Sequence, residues 1–230
     1  MKQLSLIICS FLFVISLAAQ TRRSITVKAG QDIAQTFSPN GFYRLPQFDH
    51  AVLYTKTKIQ PTQSLFNYNI YSATIQFLGE NGDTMDLINP TYFDSIVVAG
   101  HVFIYKEGFL EQVAAAQSVR LLKKTVIKLE PQSIGAYGTT NSTSAIDKIT
   151  TFAIGNNVYN FRANQDVLVR ETIDWFLLDP NGKLLKANKS NLLSLLQPDS
   201  KQKAETFFKQ HKTDFNKEEQ LKELFTLLKN

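Results

Sequence analysis

The hydrophobic and polar positions of this chain follow two different periods. From Ser24 to about Ala187, Val, Ile, Thr, Phe and Tyr are frequent, and turn residues interrupt them roughly every ten residues. This pattern predicts a mainly β fold, an antiparallel sandwich or barrel-like body made of consecutive hairpins. After Asn188 the apolar residues repeat with the period of a helix, so two or three short amphipathic helices are expected to follow.

Four turn sequences define the predicted hairpins. Asn81-Gly82 offers two residues that tolerate positive φ, as a type I′ turn requires. Glu107-Gly108 and Gly155-Asn156-Asn157 each separate two further apolar runs. In Asp179-Pro180-Asn181-Gly182, the proline presets φ at the second turn position and the last glycine can take the left-handed position of a G1 bulge. We therefore expect consecutive up-and-down hairpins.

One long stretch lacks apolar periodicity. Residues 131–145 contain Gly135, Gly138 and an uninterrupted run of Thr, Asn and Ser at positions 139–144. Such a composition favours an exposed loop over a strand. The sequence therefore predicts a surface loop over residues 131–145.

The C-terminal segment predicts helices that pack on the rest of the protein. Asn216, with Glu219 three residues later, has the spacing of a capping box at the start of the last helix. Short helices are marginal in water, so their apolar stripes need a partner surface. The residues that we expect to dock are Leu192, Leu196, Phe207, Phe208, Leu221, Leu224, Phe225 and Leu228.

The first 19 residues predict a cleavable signal peptide. Lys2 precedes an uncharged run from Leu4 to Leu17, and Ala18-Ala19 provides the small residues that a signal peptidase needs. The apolar run is about 14 residues long, whereas a membrane-spanning helix needs roughly 20. We expect cleavage after Ala19 and no transmembrane segment in the mature chain, which divides into a β-rich domain at 20–187 and a small helical subdomain at 188–230.

Cysteine content and charge restrict the chemistry of the mature chain. Cys9 is the only cysteine and leaves with the signal peptide, so the mature chain can form neither a disulfide nor a thiolate metal site. Without Lys2, 24 basic residues face 20 acidic ones, and the excess of four lies entirely after residue 180. Lysines interspersed with glutamates are typical of a solvated helix face and not of a nucleic-acid-binding surface. We expect no nucleic-acid partner.

The residues that could support catalysis are scattered along the chain. Among them are His50, His101, His211, Asp83, Asp86, Asp174 and Asp179. The histidines have no metal-binding spacing and favour packing or capping roles, and the aspartates flank apolar strands and favour solvation of the strand ends. Nucleophile-elbow and phosphate-loop motifs do not occur in the sequence. We therefore predict no catalytic, cofactor-binding or metal-binding residue.

Three segments together give the chain its layout. The signal ends in Leu17-Ala18-Ala19-Gln20, a hairpin reads Phe103-Ile104-Tyr105-Lys106-Glu107-Gly108-Phe109-Leu110-Glu111, and Leu195-Leu196-Gln197-Pro198-Asp199 leads into two Lys/Glu-rich helices. In this layout the chain resembles a group of uncharacterised exported Bacteroidetes proteins. The resemblance includes no catalytic motif, and it implies export and architecture only.

Two functions remain open from the sequence. The first is an exported, non-enzymatic protein of a Gram-negative bacterium, in the periplasm, the outer envelope or outside the cell, that has a structural role or binds an unknown protein or glycan. The second is a secreted hydrolase or carbohydrate-active enzyme whose acidic residues converge only in the fold. A cleft with two or more buried carboxylates of perturbed pKa favours the second. The aromatic cluster of Phe66, Tyr68 and Tyr71 could stack on a sugar, but strand aromatics usually serve packing.

Overall fold

The protein is built on one antiparallel sheet. The computed structural model describes residues 23–55, 58–134, 140–142, 162–163 and 165–229, and within them it contains twelve strands, four α-helices and a short 3-10 helix. The strands are β1 (Ser24–Val27), β2 (Asp49–Thr55), β3 (Ile59–Asn69), β4 (Thr74–Leu78), β5 (Thr84–Asp86), β6 (Phe93–Val98), β7 (His101–Lys106), β8 (Gly108–Ala116), β9 (Val119–Ile134), β10 (Thr140–Ser142), β11 (Val167–Leu178) and β12 (Leu184–Lys186). The helices are α1 (Ile33–Phe37), α2 (Lys189–Leu195), α3 (Pro198–Gln210) and α4 (Glu218–Lys229), and the 3-10 helix spans Pro90–Tyr92. The predicted mainly β fold with C-terminal helices is confirmed.

Two meanders of four strands make up most of the sheet. The first runs β2-β3-β4-β5 and the second β6-β7-β8-β9, and they join because β2 pairs with β6. β11 pairs with β9 along its whole length and carries β1 and β12 on its other edge. Within the described residues β1 and β5 each pair with one strand, so this sheet is open rather than a closed barrel.

The sheet curls over its inner face. The Tyr68 hydroxyl in β3 donates a hydrogen bond to the Phe109 carbonyl in β8 at 3.0 Å, and the Phe109 amide donates to the Ala73 carbonyl at 3.0 Å. These bonds bring the β3-β4 hairpin onto β8. One apolar core therefore collects side chains from both ends of the sheet, among them Val27, Phe66, Tyr68, Ile75, Ile96, Phe103, Val167 and Val169.

The C-terminal helices pack on the inner face of β8, β9 and β11. Leu121 and Ile127 lie six residues apart on β9 and share a face, because side chains alternate along a strand. Ile127 belongs to the core of the curled sheet, whereas Leu121 belongs to a second core with α2, α3 and α4. Seven of the eight predicted docking residues are buried there and Phe208 is partly buried, so the predicted docking is confirmed.

The turns that end at Gly82 and Gly182 share one geometry. The Gly82 amide donates to the Gly79 carbonyl at 2.9 Å, and the Gly182 amide donates to the Asp179 carbonyl at 3.0 Å. Both glycines have a positive φ, +81° and +82°. The predicted G1 bulge at Gly182 is confirmed, as is the Glu107-Gly108 hairpin. The type I′ turn predicted at Asn81-Gly82 is wrong, because Asn81 does not have the positive φ that this turn requires.

Two other local predictions are also wrong. The loop predicted over residues 131–145 is wrong at two places, because β9 continues to Ile134 and Thr140–Ser142 form β10. Pro131 lies opposite Val167 at a position where its missing N–H faces away from β11, and a strand tolerates proline there. The last helix begins at Glu218, and its first hydrogen bond runs from the Leu221 amide to the Lys217 carbonyl, so the cap is not Asn216. The predicted Gly155-Asn156-Asn157 hairpin lies outside the described residues.

None of the helices in the described part of the chain combines the length and the apolar character needed to cross a bilayer. The longest, α3, has 13 residues, and α4 has 12. Both present charged residues on one side and bury the other in the core that the helices share with the sheet. Their apolar stripes are therefore accounted for by packing within the protein.

Candidate functional site

A belt of charged side chains crosses the inner face between the two apolar cores. It consists of Arg44, His101, Glu111, Lys123, Glu218 and Lys222, and we call it the charged belt. Glu111 in β8 lies directly opposite Lys123 in β9. On β8, Phe109 packs in the core of the curled sheet and Val113 against the core of the helices, so Glu111 lies between them.

Glu111 is the centre of the charged belt. Arg44 donates two hydrogen bonds to its carboxylate, from Nε at 3.0 Å and from the terminal nitrogen at 3.1 Å. His101 Nδ1 lies 2.8 Å from the same carboxylate, and Lys123 Nζ lies 3.4 Å from it. The Glu111 side chain is 9% exposed, so these partners replace most of its hydration.

The neighbouring cations keep Glu111 ionised despite its burial. Burial by itself raises the pKa of a carboxyl group, but the hydrogen bonds from Arg44 and the charge of Lys123 outweigh it and lower the pKa of Glu111 to about 2. The same contact raises the pKa of Arg44. Glu111 is therefore a carboxylate at neutral pH and acts as a hydrogen-bond acceptor.

Lys123 connects the sheet to the last helix. Its Nζ lies 3.3 Å from Glu218 in the first turn of α4, and Glu218 in turn contacts Lys222 at 2.6 Å. Burial raises the pKa of Glu218, but Lys222 and Lys123 together more than offset this and lower it. Positive and negative groups thus alternate from Arg44 through Glu111, Lys123 and Glu218 to Lys222.

This arrangement is suited to holding structure together more than to moving protons. A general acid at neutral pH needs a raised pKa, whereas Glu111 and Glu218 both have lowered values. The oxygens of each carboxylate also contact cationic side chains, namely Arg44 and Lys123 for Glu111, and Lys123 and Lys222 for Glu218. Nowhere in the described ranges do three or more His, Cys, Asp or Glu side chains converge as metal ligands would.

A groove on the outer face of the sheet is a second candidate site, which we call the outer groove. It lies between the 3-10 helix and the β11-β12 turn and has a volume of about 830 Å³. Ile104 and Leu178 form part of its floor and belong to a small apolar cluster on the outer face. Its charged lining residues are Asp94, Lys106, Arg120 and Asp179.

The charged lining of the outer groove differs from the charged belt in one respect. Within the residues that the structure describes, Asp94, Lys106, Arg120 and Asp179 form no ion pair. Asp179 accepts a hydrogen bond from the Lys183 amide within its own turn. Two cations and two carboxylates are therefore available to a ligand in one concave surface.

The structure separates most of the candidates named from the sequence. His50 is exposed, and His211 ends α3 with its ring stacked on Phe207 at a centroid distance of 4.4 Å, which confirms a packing and capping role for His211. His101 instead contacts Glu111. Asp83 is exposed, and Asp174 is half-buried. Asp86 accepts a hydrogen bond from the buried Gln76 at 2.7 Å, so it fixes a core amide as well as ending a strand.

The clustered aromatics serve packing. Phe42, Phe66 and Tyr68 are buried, and Phe42 stacks on Tyr71 at a centroid distance of 5.3 Å. The Tyr68 ring lies 4.8 Å from that of Phe103. The packing interpretation is confirmed for the three buried rings, which cannot face a sugar.

The residue patterns did not identify Arg44, Glu111 and Lys123 as members of a charged cluster. A signal for one contact was present, because the Glu107-Gly108 turn places Glu111 opposite Phe103, and His101 is the diagonal neighbour on the same face. Arg44 comes from an irregular segment far away in the sequence. No hairpin register could have placed it beside Glu111.

Comparison with known proteins identifies no family for this chain. No protein-family model matches the chain, and no solved structure matches it. Over 67 residues the chain is 37% identical to the capsid protein of Oat chlorotic stunt virus (isolate United Kingdom). That stretch covers 27% of this chain and 15% of the capsid protein, so this chain spans a small part of the curated protein that it is similar to.

Proposed function

We propose that this chain is an exported, non-enzymatic protein of the Gram-negative cell envelope that binds a protein or glycan partner through the outer groove. The observation that supports it is the contrast between two sets of charges. The buried acids of the charged belt are neutralised by neighbouring cations, whereas the four charges of the outer groove have no ion-pair partner among the described residues. Unpaired charges in a concave surface favour ligand binding.

The chemistry of the outer groove fits a polar partner that carries both charges or many hydroxyl groups. Arg120 is exposed and Lys106 is half-buried, so a ligand can reach both without unfolding the sheet. Gln117 and Ser118 in the β8-β9 turn add neutral hydrogen-bonding groups to the lining. Peptides and glycans of the cell envelope offer the complementary groups.

Binding to purified envelope fractions tests this proposal. The mature chain beginning at Gln20 is incubated with peptidoglycan sacculi or with outer-membrane vesicles, and the bound fraction is measured by co-sedimentation. We expect the double variant Lys106→Ala/Arg120→Ala to bind at least about tenfold more weakly than the unmodified chain. The matched control, Lys201→Ala/Lys209→Ala, removes two exposed lysines of α3 and should bind as the unmodified chain does. Equal binding by all three proteins contradicts the role of the outer groove.

A secreted hydrolase is the second candidate, and one contact favours it. Glu111 lies within hydrogen-bond distance of His101, as a carboxylate does when it orients a catalytic histidine. The same incubation separates the two functions, because an enzyme releases soluble sugars or peptides from sacculi. Release that is abolished by His101→Gln would favour the hydrolase, and intact sacculi after prolonged incubation would favour binding.

A further inference from the structure

An apolar hollow adjoins the outer groove at the 3-10 helix. It has a volume of about 580 Å³ and is lined by Ile88, Asn89, Thr91, Tyr92 and Phe93. Thr91 and Phe93 also line the outer groove. The hollow and the outer groove are therefore neighbouring parts of one surface, and a ligand of sufficient length can occupy both.

Two large apolar side chains of the hollow are exposed. Ile88 is 76% exposed and Tyr92 is 59% exposed. Exposed apolar residues are usually scattered singly over a protein surface, whereas these two line one concavity. Tyrosine is also enriched at the centres of protein interfaces, because it combines a large apolar ring with a hydroxyl group. The hollow therefore has the composition of a protein-binding surface.

The loop that carries these side chains is held by the core on both sides. Leu87 and Phe93 pack against the core of the curled sheet, and the Leu87 amide donates to the Ile75 carbonyl at 2.9 Å. Between them, Asn89 has a positive φ of +52°, and Pro90 restricts φ at the start of the 3-10 helix. A loop that is already ordered loses little conformational entropy when it binds a partner. The exposed side chains are thus presented on a preformed support.

The charges near the hollow do not suit a lipid surface. Asp94 follows Phe93 directly and is exposed. Anionic lipid head groups attract basic segments of a protein and repel acidic ones. Between Lys58 and Lys106 the sequence contains no lysine or arginine, and it contains four acidic residues, namely Glu80, Asp83, Asp86 and Asp94.

A polypeptide fits the combined surface better than a glycan does. Ile88 has neither a flat ring on which a sugar could stack nor a polar atom for a hydroxyl group. A Leu, Ile or Phe side chain would instead fill the hollow and remove its walls from water. The outer groove adds the charges of Lys106, Arg120 and Asp179. A polypeptide can supply an apolar group and charged groups within a few residues.

We propose that the partner of the outer groove is a protein segment that inserts an apolar side chain into the hollow between Ile88 and Tyr92 and places charged residues along the outer groove. The proposal rests on the proposed function, because it assigns the partner of the same site. Asp94 favours a basic residue beside the apolar one. Lys106 and Arg120, which line the outer groove but not the hollow, favour acidic residues elsewhere in the segment.

Co-sedimentation with three preparations tests the partner class. These are outer-membrane vesicles, the same vesicles after digestion with proteinase K and inactivation of the protease, and sacculi freed of protein. We expect the chain from Gln20 to bind the untreated vesicles at least about tenfold more tightly than the digested vesicles or the sacculi. Ile88→Ser should weaken binding to the untreated vesicles by a similar factor, because it removes one wall of the hollow. The matched control is Leu227→Ser, which removes an exposed apolar side chain of α4 and should bind as the unmodified chain does.

Three results would overturn the proposal. One is equal binding by Ile88→Ser and Leu227→Ser, with thermal unfolding confirming that both variants are folded. The second is undiminished binding to the digested vesicles, which would assign the hollow to lipid or to a surface glycan. The third is equally tight binding to sacculi, which would assign the outer groove to peptidoglycan.

The double variant of the outer groove separates this proposal from the proposed function. If Lys106→Ala/Arg120→Ala loses binding while Ile88→Ser retains it, the outer groove is the site and the protein segment is wrong. If Ile88→Ser loses binding while the double variant retains it, the hollow is the site and the role of the outer groove is contradicted. Absence of binding by the unmodified chain to all three preparations contradicts both proposals.

Discussion

Lys123 Nζ lies 3.3 Å from Glu218 Oε2, and this contact joins the first third of β9 to the first turn of α4. The two side chains are 10% and 12% exposed. Lys123 also faces Glu111 at 3.4 Å, so one ammonium group neutralises two carboxylates that come from the sheet and from the helices. The charged belt is therefore the polar part of the contact between the β body and the C-terminal helices.

Removal of the Lys123 charge should destabilise the protein strongly. Lys123→Met keeps most of the side-chain volume but leaves two poorly solvated carboxylates beside each other, and we expect a loss of about 3 kcal/mol in the free energy of unfolding. Urea unfolding at neutral pH measures this value. Lys128→Met, an exposed position on the same strand, should change it by less than about 0.5 kcal/mol. Equal effects of the two variants would show that the charged belt is not a structural contact.

The lowered pKa of Glu111 predicts a loss of stability in acid. Its pKa falls from the model-peptide value of 4.5 to about 2 on folding, so ionisation of Glu111 stabilises the protein at pH values above 4.5. That contribution, about 3 kcal/mol at neutral pH, is lost progressively as the pH falls from about 5 through 2. Urea unfolding at pH 7 and pH 3 measures the loss. Glu111→Gln should be less stable at pH 7 and show a smaller difference between the two pH values; an unchanged difference contradicts the assignment.

Two leucines of α4 distinguish docking from a free tail. Leu224 is fully buried in the core of the helices, and Leu227 is 39% exposed three residues later. Leu224→Asp buries an unpaired charge and removes a core side chain, so we expect a loss of about 3 kcal/mol or more and rapid trypsin cleavage after residue 182. Leu227→Asp should leave both measurements close to those of the unmodified protein. A tail that is cleaved rapidly in all three proteins would contradict docking.

The turn at Gly82 predicts which substitutions it tolerates. A Cβ at this position meets no other atom, so the cost of a side chain comes from the positive φ alone. Gly82→Val should lower the free energy of unfolding by about 1 kcal/mol or more, because a β-branched residue is strained in this region. Gly82→Asn should cost less, since asparagine tolerates the left-handed region. Thermal unfolding of the two variants gives the comparison, and equal melting temperatures would contradict this account of the turn.

The export prediction is tested on the mass of the secreted protein. The apolar run ends in Ala18-Ala19, so protein expressed in a Gram-negative host should begin at Gln20 or Thr21. Intact-mass spectrometry of the periplasmic fraction measures the start. A full-length mass that remains in the membrane fraction would show that the segment is an anchor.

Local residue chemistry determined much of the secondary structure. Gly182 and Glu107-Gly108 specify their turns because glycine alone takes a positive φ without strain, and the strands on either side follow from β-branched and aromatic residues. The stripe of Leu221, Leu224, Phe225 and Leu228 determined which face of α4 is buried, because residues three and four apart share one side of a helix. These features depend on neighbours in the sequence, so the sequence alone was enough to predict them.

The charged belt was decided only by the tertiary structure. Counted back from the Ala116–Val119 pair without interruption, the β8-β9 hairpin would set Lys124 opposite Glu111; the register shift between Gln112 and Ala114 brings Lys123 there instead. A bulge of this kind changes which face every later residue occupies, and it bends the strand that carries it. Arg44 reaches Glu111 because the segment before β2 folds against β3, where the Arg44 amide donates to the Tyr68 carbonyl. Arg44 and Glu111 are 67 positions apart in the sequence. Such contacts depend on the global path of the chain, which residue patterns of short range do not contain.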